Sequence, residues 1–152
     1  MGGGLNSYKQ GYNTGYITRN RSPWYKMEHR NPPPIILNVF SRKGYKVVRN
    51  LSGVYSLTTF HCFYPNLFGL NKTDILFLYL MSNVGHRLLT SSMRNYGNGL
   101  NKFEPNDLNT SPVPSEDFLE TIPQTKTNEL MSRLASDEKI LPEVDALFSA
   151  LI

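Results

Sequence analysis

The chain has 152 residues and a net charge of +4, a length that suits one domain with a hydrophobic core and is too short for two large ones. Hydrophobic residues make up 39% and aromatic residues 12% of the sequence, so we expect the chain to fold rather than stay disordered. No apolar run approaches the roughly 20 residues that cross a bilayer, and residues 1–5 lack the basic and apolar regions of a signal peptide. We therefore expect no membrane association, and a cytoplasmic location, which the single cysteine also favours.

The charge is distributed unevenly along the chain. Residues 1–50 contain nine Lys or Arg residues and one acidic residue, whereas residues 101–152 contain four basic and ten acidic residues. A basic and aromatic first third is typical of proteins that bind an anionic polymer. An ordinary solvated surface explains the charge equally well.

Residues 1–20 show neither helical nor strand periodicity and are predicted to form an irregular arm. The segment that follows alternates cations with the only tryptophan. Aromatic and guanidinium groups stack on bases, and cations bind phosphates, so this segment is a candidate nucleic-acid contact. Its candidate residues are Arg19, Arg21, Trp24, Tyr25, Lys26 and Arg30. Alternatively, Trp24 covers a small core and the charges surround it.

The tetrapeptide Asn31-Pro32-Pro33-Pro34 invites comparison with the Asn/Asp-Pro-Pro-Tyr/Phe motif of adenine-N6 methyltransferases. In that motif the polar side chain and a prolyl carbonyl hold the target amino group, and the aromatic residue stacks on the flipped base. Here Pro34 occupies the aromatic position, and the tetrapeptide precedes a strand instead of ending one. No glycine-rich cofactor loop appears upstream. We interpret it as an extended lead-in to a strand.

Three strands are predicted next, over residues 35–40, 45–49 and 54–64, because these segments are apolar, β-branched and aromatic. The turn between the first two presents Arg42 and Lys43, and Lys46 follows, so all three are candidate nucleic-acid contacts. His61 and Cys62 are adjacent on the third strand and therefore point to opposite faces. The histidines show no metal-ligand spacing, so we expect no metal site.

A largely buried helix is predicted near residues 72–82 because its apolar residues occur nearly all round it. A break at Ser82 and a second helix over residues 84–94 follow, which would place Arg87 and Arg94 on a similar face. Arg94 precedes a glycine loop and is a candidate partner of that loop's lysine. A solvent-facing helix end is the alternative.

The loop itself is Tyr96-Gly97-Asn98-Gly99-Leu100-Asn101-Lys102, followed by Glu104-Pro105, which predicts the start of a short helix. Gly97, Asn98 and Gly99 reach positive φ at little cost, so the backbone can turn tightly or approach a ligand. Together with Lys102 and the helix start, the loop could hold a phosphate. Most such loops are plain turns, so the signal is weak by itself.

The C-terminal part begins with a short helix at residues 105–109 and another turn of helix near residues 115–119. Residues 123–128 are predicted to be a polar linker. Residues 128–151 have the apolar spacing of one or two amphipathic helices broken near Pro142. Their acidity makes them poor nucleic-acid contacts, so we expect them to pack on the rest of the chain.

Two groups of motifs carry a resemblance to a known family. The first comprises Ser22-Pro23-Trp24-Tyr25, Arg30 with the three prolines that follow, and Thr59-Phe60-His61-Cys62-Phe63-Tyr64-Pro65. The second comprises Tyr79-Leu80-Met81-Ser82-Asn83, the block from Tyr96 to Leu108, and Pro112-Val113-Pro114. Together they resemble, over about residues 15–120, the C-terminal target-recognition region of TaqI-type adenine-N6 DNA methyltransferases of type II restriction–modification systems.

In such enzymes an N-terminal domain binds S-adenosylmethionine and carries the catalytic motif, while the C-terminal region docks on double-stranded DNA and selects the sequence. The predicted strands and helices make an α+β fold. The resemblance implies that this fold is a DNA-binding module that is itself non-catalytic and binds no cofactor, with S-adenosylmethionine used by the missing catalytic half. It also implies a catalytic domain or subunit as partner. We divide the chain into an arm (residues 1–20), a target-recognition domain (21–122) and a helical tail (123–152).

Two other functions remain open. The chain could be a partner-binding subunit or remnant whose aromatic segments form a protein interface. It could also be a minimal methyltransferase that uses Asn31 and the prolines that follow. The DNA-binding residues implied by the first function are those named in the N-terminal segment, together with Arg42, Lys43, Lys46, Arg94, Gly97, Asn98, Gly99 and Lys102.

Overall fold

The structure is a computed structural model in which residues 30–56, 58–66 and 69–152 are described. The chain divides into two units, Met1–Asn31 and Pro32–Ile152, and all the described helices and strands lie in the second. The predicted arm and the candidate contacts Arg19, Arg21, Trp24, Tyr25 and Lys26 lie outside the described residues. Arg30 is described and exposed, and it belongs to the first unit.

The second unit is a small α+β fold, as the sequence predicts. Its strands are β1 (Ile35–Asn38), β2 (Phe40–Ser41), β3 (Val47–Arg49), β4 (Phe60–Phe63), β5 (Arg94–Asn95) and β6 (Asn101–Lys102). Its α-helices are α1 (Thr73–Met81), α2 (Asn83–Thr90), α3 (Pro105–Asn109), α4 (Glu116–Glu120), α5 (Gln124–Ala135) and α6 (Leu141–Phe148). Short 3-10 helices, Leu70–Lys72 and Ser149–Leu151, precede α1 and follow α6.

The first sheet is antiparallel with the order β3-β1-β4, and Ile36 lies opposite both Val48 and Cys62. Side chains alternate between the two faces of a strand. Ile35 and Leu37 are therefore buried on the face that joins the core, whereas Val48 and Cys62 are exposed on the other face. His61, on the core side, bonds through Nε2 to the carbonyl of Phe103 at 2.9 Å. The predicted separation of His61 and Cys62 is confirmed.

The core is built around α1. Five of its nine residues are buried, which confirms the prediction of a helix that is apolar nearly all round. It packs against β3 and against helices α2, α5 and α6. Tyr79 meets the ring of Phe148 from α6 edge-on at 5.4 Å, so the C-terminal helices close the core as expected.

Several element boundaries differ from the sequence predictions. The strand predicted over residues 54–64 begins only at Phe60. The Asn50 side chain bonds both backbone groups of Val54 and holds residues 50–54 in a loop. The linker predicted over residues 123–128 is wrong, because α5 begins at Gln124 and buries Thr127. The break near Pro142 lies at residues 136–140 instead, and Pro142 itself sits in the first turn of α6, where proline is tolerated.

The second predicted helix ends at Thr90, and Arg94 lies in strand β5. The shared helical face proposed for Arg87 and Arg94 is therefore wrong. Hydroxyl groups at the helix end explain the early stop: Thr90 bonds back to the carbonyl of His86, and Ser91 Oγ donates to the carbonyl of Leu88 at 2.6 Å. Such local bonds compete with continued helix.

Two buried tyrosines lead to a prediction about alkaline stability. The Tyr45 hydroxyl donates to the Leu80 carbonyl at 2.6 Å, and the Tyr79 hydroxyl donates to the Pro112 carbonyl at 2.9 Å. Burial raises the pKa of Tyr79 to about 12 and raises that of Tyr45 further. Because the unfolded chain loses these protons near pH 10, we expect stability to fall as the pH rises from about 10 towards 12.

Denaturant unfolding at a series of pH values measures this loss, and tyrosinate absorbance shows when the hydroxyls ionise. The variant Tyr79→Phe should show a smaller alkaline loss than the wild type. Equal alkaline losses in the two proteins would contradict the assignment of the effect to Tyr79.

Candidate nucleic-acid interface

The candidate interface is built on the second sheet, whose order is β2-β6-β5. Both outer strands pair antiparallel with β6, so that Phe40 lies opposite Lys102 and Arg94 lies opposite Lys102 from the other side. Since β2 and β5 run in the same direction, the turn after β2 and the loop after β5 leave the sheet at the same end. We call residues 42–44 and 96–100 together the loop edge.

Strand β2 is positioned by β1, which it follows after the single residue Val39. The sequence predicts one strand over residues 35–40, but the structure divides it at Val39 between the two sheets. Val39 is buried, its amide donates to Thr59 and its carbonyl accepts from the Phe103 amide, both at 3.1 Å. The first sheet therefore fixes where the second sheet begins.

The turn of the loop edge is fixed by bonds within residues 41–44 and by contacts with His86. Ser41 Oγ bonds to the Gly44 carbonyl and accepts from the Lys43 amide. Gly44 has φ +83°, and a Cβ there would lie 2.2 Å from Nε2 of His86, so another residue would strain the backbone and displace the His86 ring. Tyr45 is buried and stacks on the ring of His86 at 4.8 Å.

Arg42 and Lys43 are consequently held out from the surface. Both side chains are exposed, and neither forms an ion pair with any of the described residues. Lys46 is exposed too, and its amide donates to Asn38 Oδ1 at 2.5 Å. These three cations are available to an external anion.

The loop is a closed turn with three consecutive residues at positive φ: Gly97 at 89°, Asn98 at 49° and Gly99 at 70°. The Leu100 amide donates to the Gly97 carbonyl at 3.0 Å, and the Tyr96 amide donates to the Leu100 carbonyl at 2.8 Å. The predicted tight turn is therefore confirmed. Asn98 and Gly99 are exposed residues, and their amides donate to no acceptor in the described part of the chain.

Lys102 lies at the centre of the sheet surface in a cluster of four side chains. Its ammonium is 2.7 Å from Glu104 Oε1, which also accepts a 2.9 Å bond from the Tyr96 hydroxyl. The same ammonium lies 5.5 Å from the centre of the Phe40 ring and 5.6 Å from that of Tyr96. The bond to Glu104 raises the pKa of Lys102, and the bonds from Lys102 and Tyr96 lower that of Glu104.

Arg94 attaches the hairpin of β5 and β6 to helix α3. Its guanidinium donates Nε–H to Asp107 Oδ2 at 2.8 Å and Nη2–H to Oδ1 at 2.9 Å, a bidentate pair that lowers the pKa of Asp107. Asp107 also accepts the Glu104 amide at 3.3 Å and so caps the helix that Pro105 begins. The predicted start of this short helix is confirmed.

The structure thus brings together Arg42, Lys43, the glycine loop, Arg94 and Lys102 on one small sheet. The sequence prediction missed Phe40, Tyr96, Glu104 and Asp107 as members of this surface. The spacing of Glu104 and Asp107 is that of a capping box, a signal that could have identified the two carboxylates.

No local signal pairs Phe40 with a residue more than sixty positions away.

Among the described residues, no three His, Cys, Asp or Glu side chains are grouped to hold a metal ion. No described helix is both long enough and apolar enough to span a membrane.

These features define a small α+β unit that presents a cationic and aromatic hairpin. The chain belongs to the family described as "Type II methyltransferase M.Eco57I, C-terminal domain", whose model matches residues 6–148. The predicted resemblance to the C-terminal region of a type II restriction–modification methyltransferase is therefore confirmed.

Two curated relatives agree with this family. The chain is 42% identical over 99 residues to the type II methyltransferase M.AccI of Acinetobacter calcoaceticus, covering 64% of this chain and 18% of that protein. It is 27% identical over 106 residues to M.XamI of Xanthomonas campestris pv. amaranthicola, covering 69% of this chain and 19% of that protein. The chain therefore spans less than a fifth of the length of these relatives. No solved structure matches it.

Proposed function

We propose that this chain is the DNA target-recognition module of an adenine-N6 DNA methyltransferase and acts on double-stranded DNA in the cytoplasm. The observation that carries the proposal is the loop edge, where unpaired cations and backbone amides without a described acceptor lie at the same end of one sheet. Membership of the methyltransferase family supports DNA as the anionic partner. The adenine-N6 assignment rests on the motif resemblance.

The loop edge has a shape suited to a DNA groove. The major groove is about 12 Å wide and admits a two-stranded β-ribbon, and the hairpin of β5 and β6 is such a ribbon. Lys43 and the amides of Asn98 and Gly99 would contact phosphates and fix the register. Arg42 would contact a base edge, since arginine to guanine is the commonest specific contact.

We assign catalysis to a separate domain or subunit. The carbonyl of Pro33 accepts a bond from Asn50 Nδ2 at 2.7 Å, and that of Pro34 accepts one from Arg49 Nη1 at 2.8 Å. These bonds give both prolines a role in the fold, as the extended lead-in to β1. The sheets of the described residues are antiparallel, without the parallel strand and glycine-rich turn that bind S-adenosylmethionine. We therefore place S-adenosylmethionine binding in the separate catalytic domain or subunit.

The test is a salt series on the whole 152-residue chain with labelled duplex DNA. We expect log K to fall linearly with log salt, with a slope of about −0.9 per phosphate contacted. Selection from a randomised duplex library should recover a preferred sequence. Absence of DNA binding at low salt, or binding that ignores salt, would reject the proposal. Titration with S-adenosylmethionine tests the catalytic alternative, which measurable binding by this chain would revive.

A protein-binding function is supported by a different surface. The outer face of the first sheet exposes Val48 by 52% and Phe60 by 44%, and Leu51, Val54 and Tyr55 are exposed in the loop that follows β3. Exposed apolar residues in this number favour a protein contact. Association through them would be nearly independent of salt, so the same titration distinguishes the two functions.

A further inference from the structure

We infer that Glu104 is an internal counterion that keeps Lys102 from the phosphate backbone, so that Lys102 instead positions the rings of Phe40 and Tyr96 as base-contacting groups. This inference rests on the proposed DNA-binding function. It divides the loop edge and its sheet into residues that contact DNA and residues that hold them in place.

The first observation is the difference among the cations. Arg42 and Lys43 are exposed and unpaired within the described residues, whereas the side chains of Lys102 and its partner Glu104 are only 26% and 27% exposed. The 2.7 Å contact between them already neutralises Lys102. Releasing counterions from DNA requires a cation that is free to replace them.

The second observation is that Glu104 is itself held. A single surface ion pair contributes little and exchanges easily. Here the carboxylate also accepts the Tyr96 hydroxyl at 2.9 Å, and its residue precedes the helix that Asp107 caps. A phosphate that displaced Glu104 would therefore break the contact with Tyr96 as well.

The third observation is the exposure of the two rings. Phe40 is 49% and Tyr96 is 56% exposed, although each has the Lys102 ammonium within 5.6 Å of its ring centre. A cation over an aromatic ring is attracted to its face. Lys102 thus fixes both rings from within the sheet surface and leaves their other sides available. Aromatic side chains in this position contact the apolar parts of bases, such as the thymine methyl group.

The decisive experiment measures the slope of log K against log salt for the wild type, Lys102→Met and Glu104→Gln, with duplex DNA. The inference predicts that Lys102→Met leaves the slope unchanged while lowering affinity for the preferred sequence. It predicts that Glu104→Gln, which frees Lys102, steepens the slope by about 0.9 and raises affinity for unrelated DNA. A slope reduced by about 0.9 in Lys102→Met, or an unchanged slope in Glu104→Gln, overturns it.

The aromatic residues are tested with Phe40→Ala and Tyr96→Ala. Each should weaken binding to the preferred sequence several-fold without changing the slope, since a contact between an aromatic ring and a base edge releases no counterion. Unchanged affinity in both variants overturns this part. Thermal unfolding of each variant verifies the fold.

If the wild type fails to bind DNA, the proposed function itself fails. If the wild type binds DNA and Lys102→Met reduces the salt slope by one phosphate contact, the inference fails and the proposed function stands.

Discussion

Replacing Lys43 by alanine is expected to reduce the salt slope of DNA binding by about 0.9, whereas replacing Arg42 should relax the preference at one base position by about 1–3 kcal/mol. Both side chains leave the same turn, held between Ser41 and Gly44, and neither is neutralised by a described acidic residue. The expected difference arises because a phosphate contact acts on every sequence alike, and a bidentate base contact does not. Binding titrations on preferred and scrambled duplexes at several salt concentrations measure both effects.

The matched control is Lys139→Ala. Lys139 is exposed between α5 and α6, so its removal changes the net charge equally without touching the sheet. Its salt slope should equal that of the wild type. If Arg42→Ala and Lys43→Ala behave like Lys139→Ala, the loop edge is not the DNA contact.

The largest expected effect on stability comes from Gly85→Ala. A Cβ at this position would lie 2.1 Å from the carbonyl oxygen and 2.9 Å from the carbonyl carbon of Tyr79. These are backbone atoms at the end of α1, and the Ser82 hydroxyl that caps α2 already bridges Tyr79 and Gly85 at 2.6 and 2.9 Å. The two helices would have to move apart. We expect the free energy of unfolding, measured with denaturant, to fall by about 3 kcal/mol or more. A Gly→Ala change within a helix usually stabilises a protein instead.

Gly97→Ala provides the comparison. No atom lies within 4 Å of a Cβ at Gly97, so the substitution introduces only the cost of φ +89°, about 1–2 kcal/mol. It should therefore destabilise less than Gly85→Ala. A Gly85→Ala protein as stable as the wild type would show that α1 and α2 do not meet as closely as described.

The sequence by itself determined the elements whose signals are local. The apolar segment before Ser82 is a buried helix, Gly97–Asn98–Gly99 is a turn at positive φ, and Pro105 begins a short helix. It also determined the family, because the motifs that carry the resemblance are short runs of residues that can be recognised in the sequence. Each of these features depends on neighbours within one or two turns of chain.

The tertiary structure alone decided what surrounds Lys102. Strand β2 pairs with β6, which lies about sixty residues later in the chain, and this pairing places Phe40 beside Lys102. The loop motif by itself indicates that Lys102 binds phosphate. Two-residue strands have almost no propensity signal, since long-range backbone pairing and core packing form them. The sequence likewise gives the number of charged residues but not which of them form ion pairs. Whether a cation is free for DNA depends on which carboxylate the fold brings beside it, and here Glu104 and Asp107 engage Lys102 and Arg94 while Arg42 and Lys43 stay free of ion pairs among the described residues.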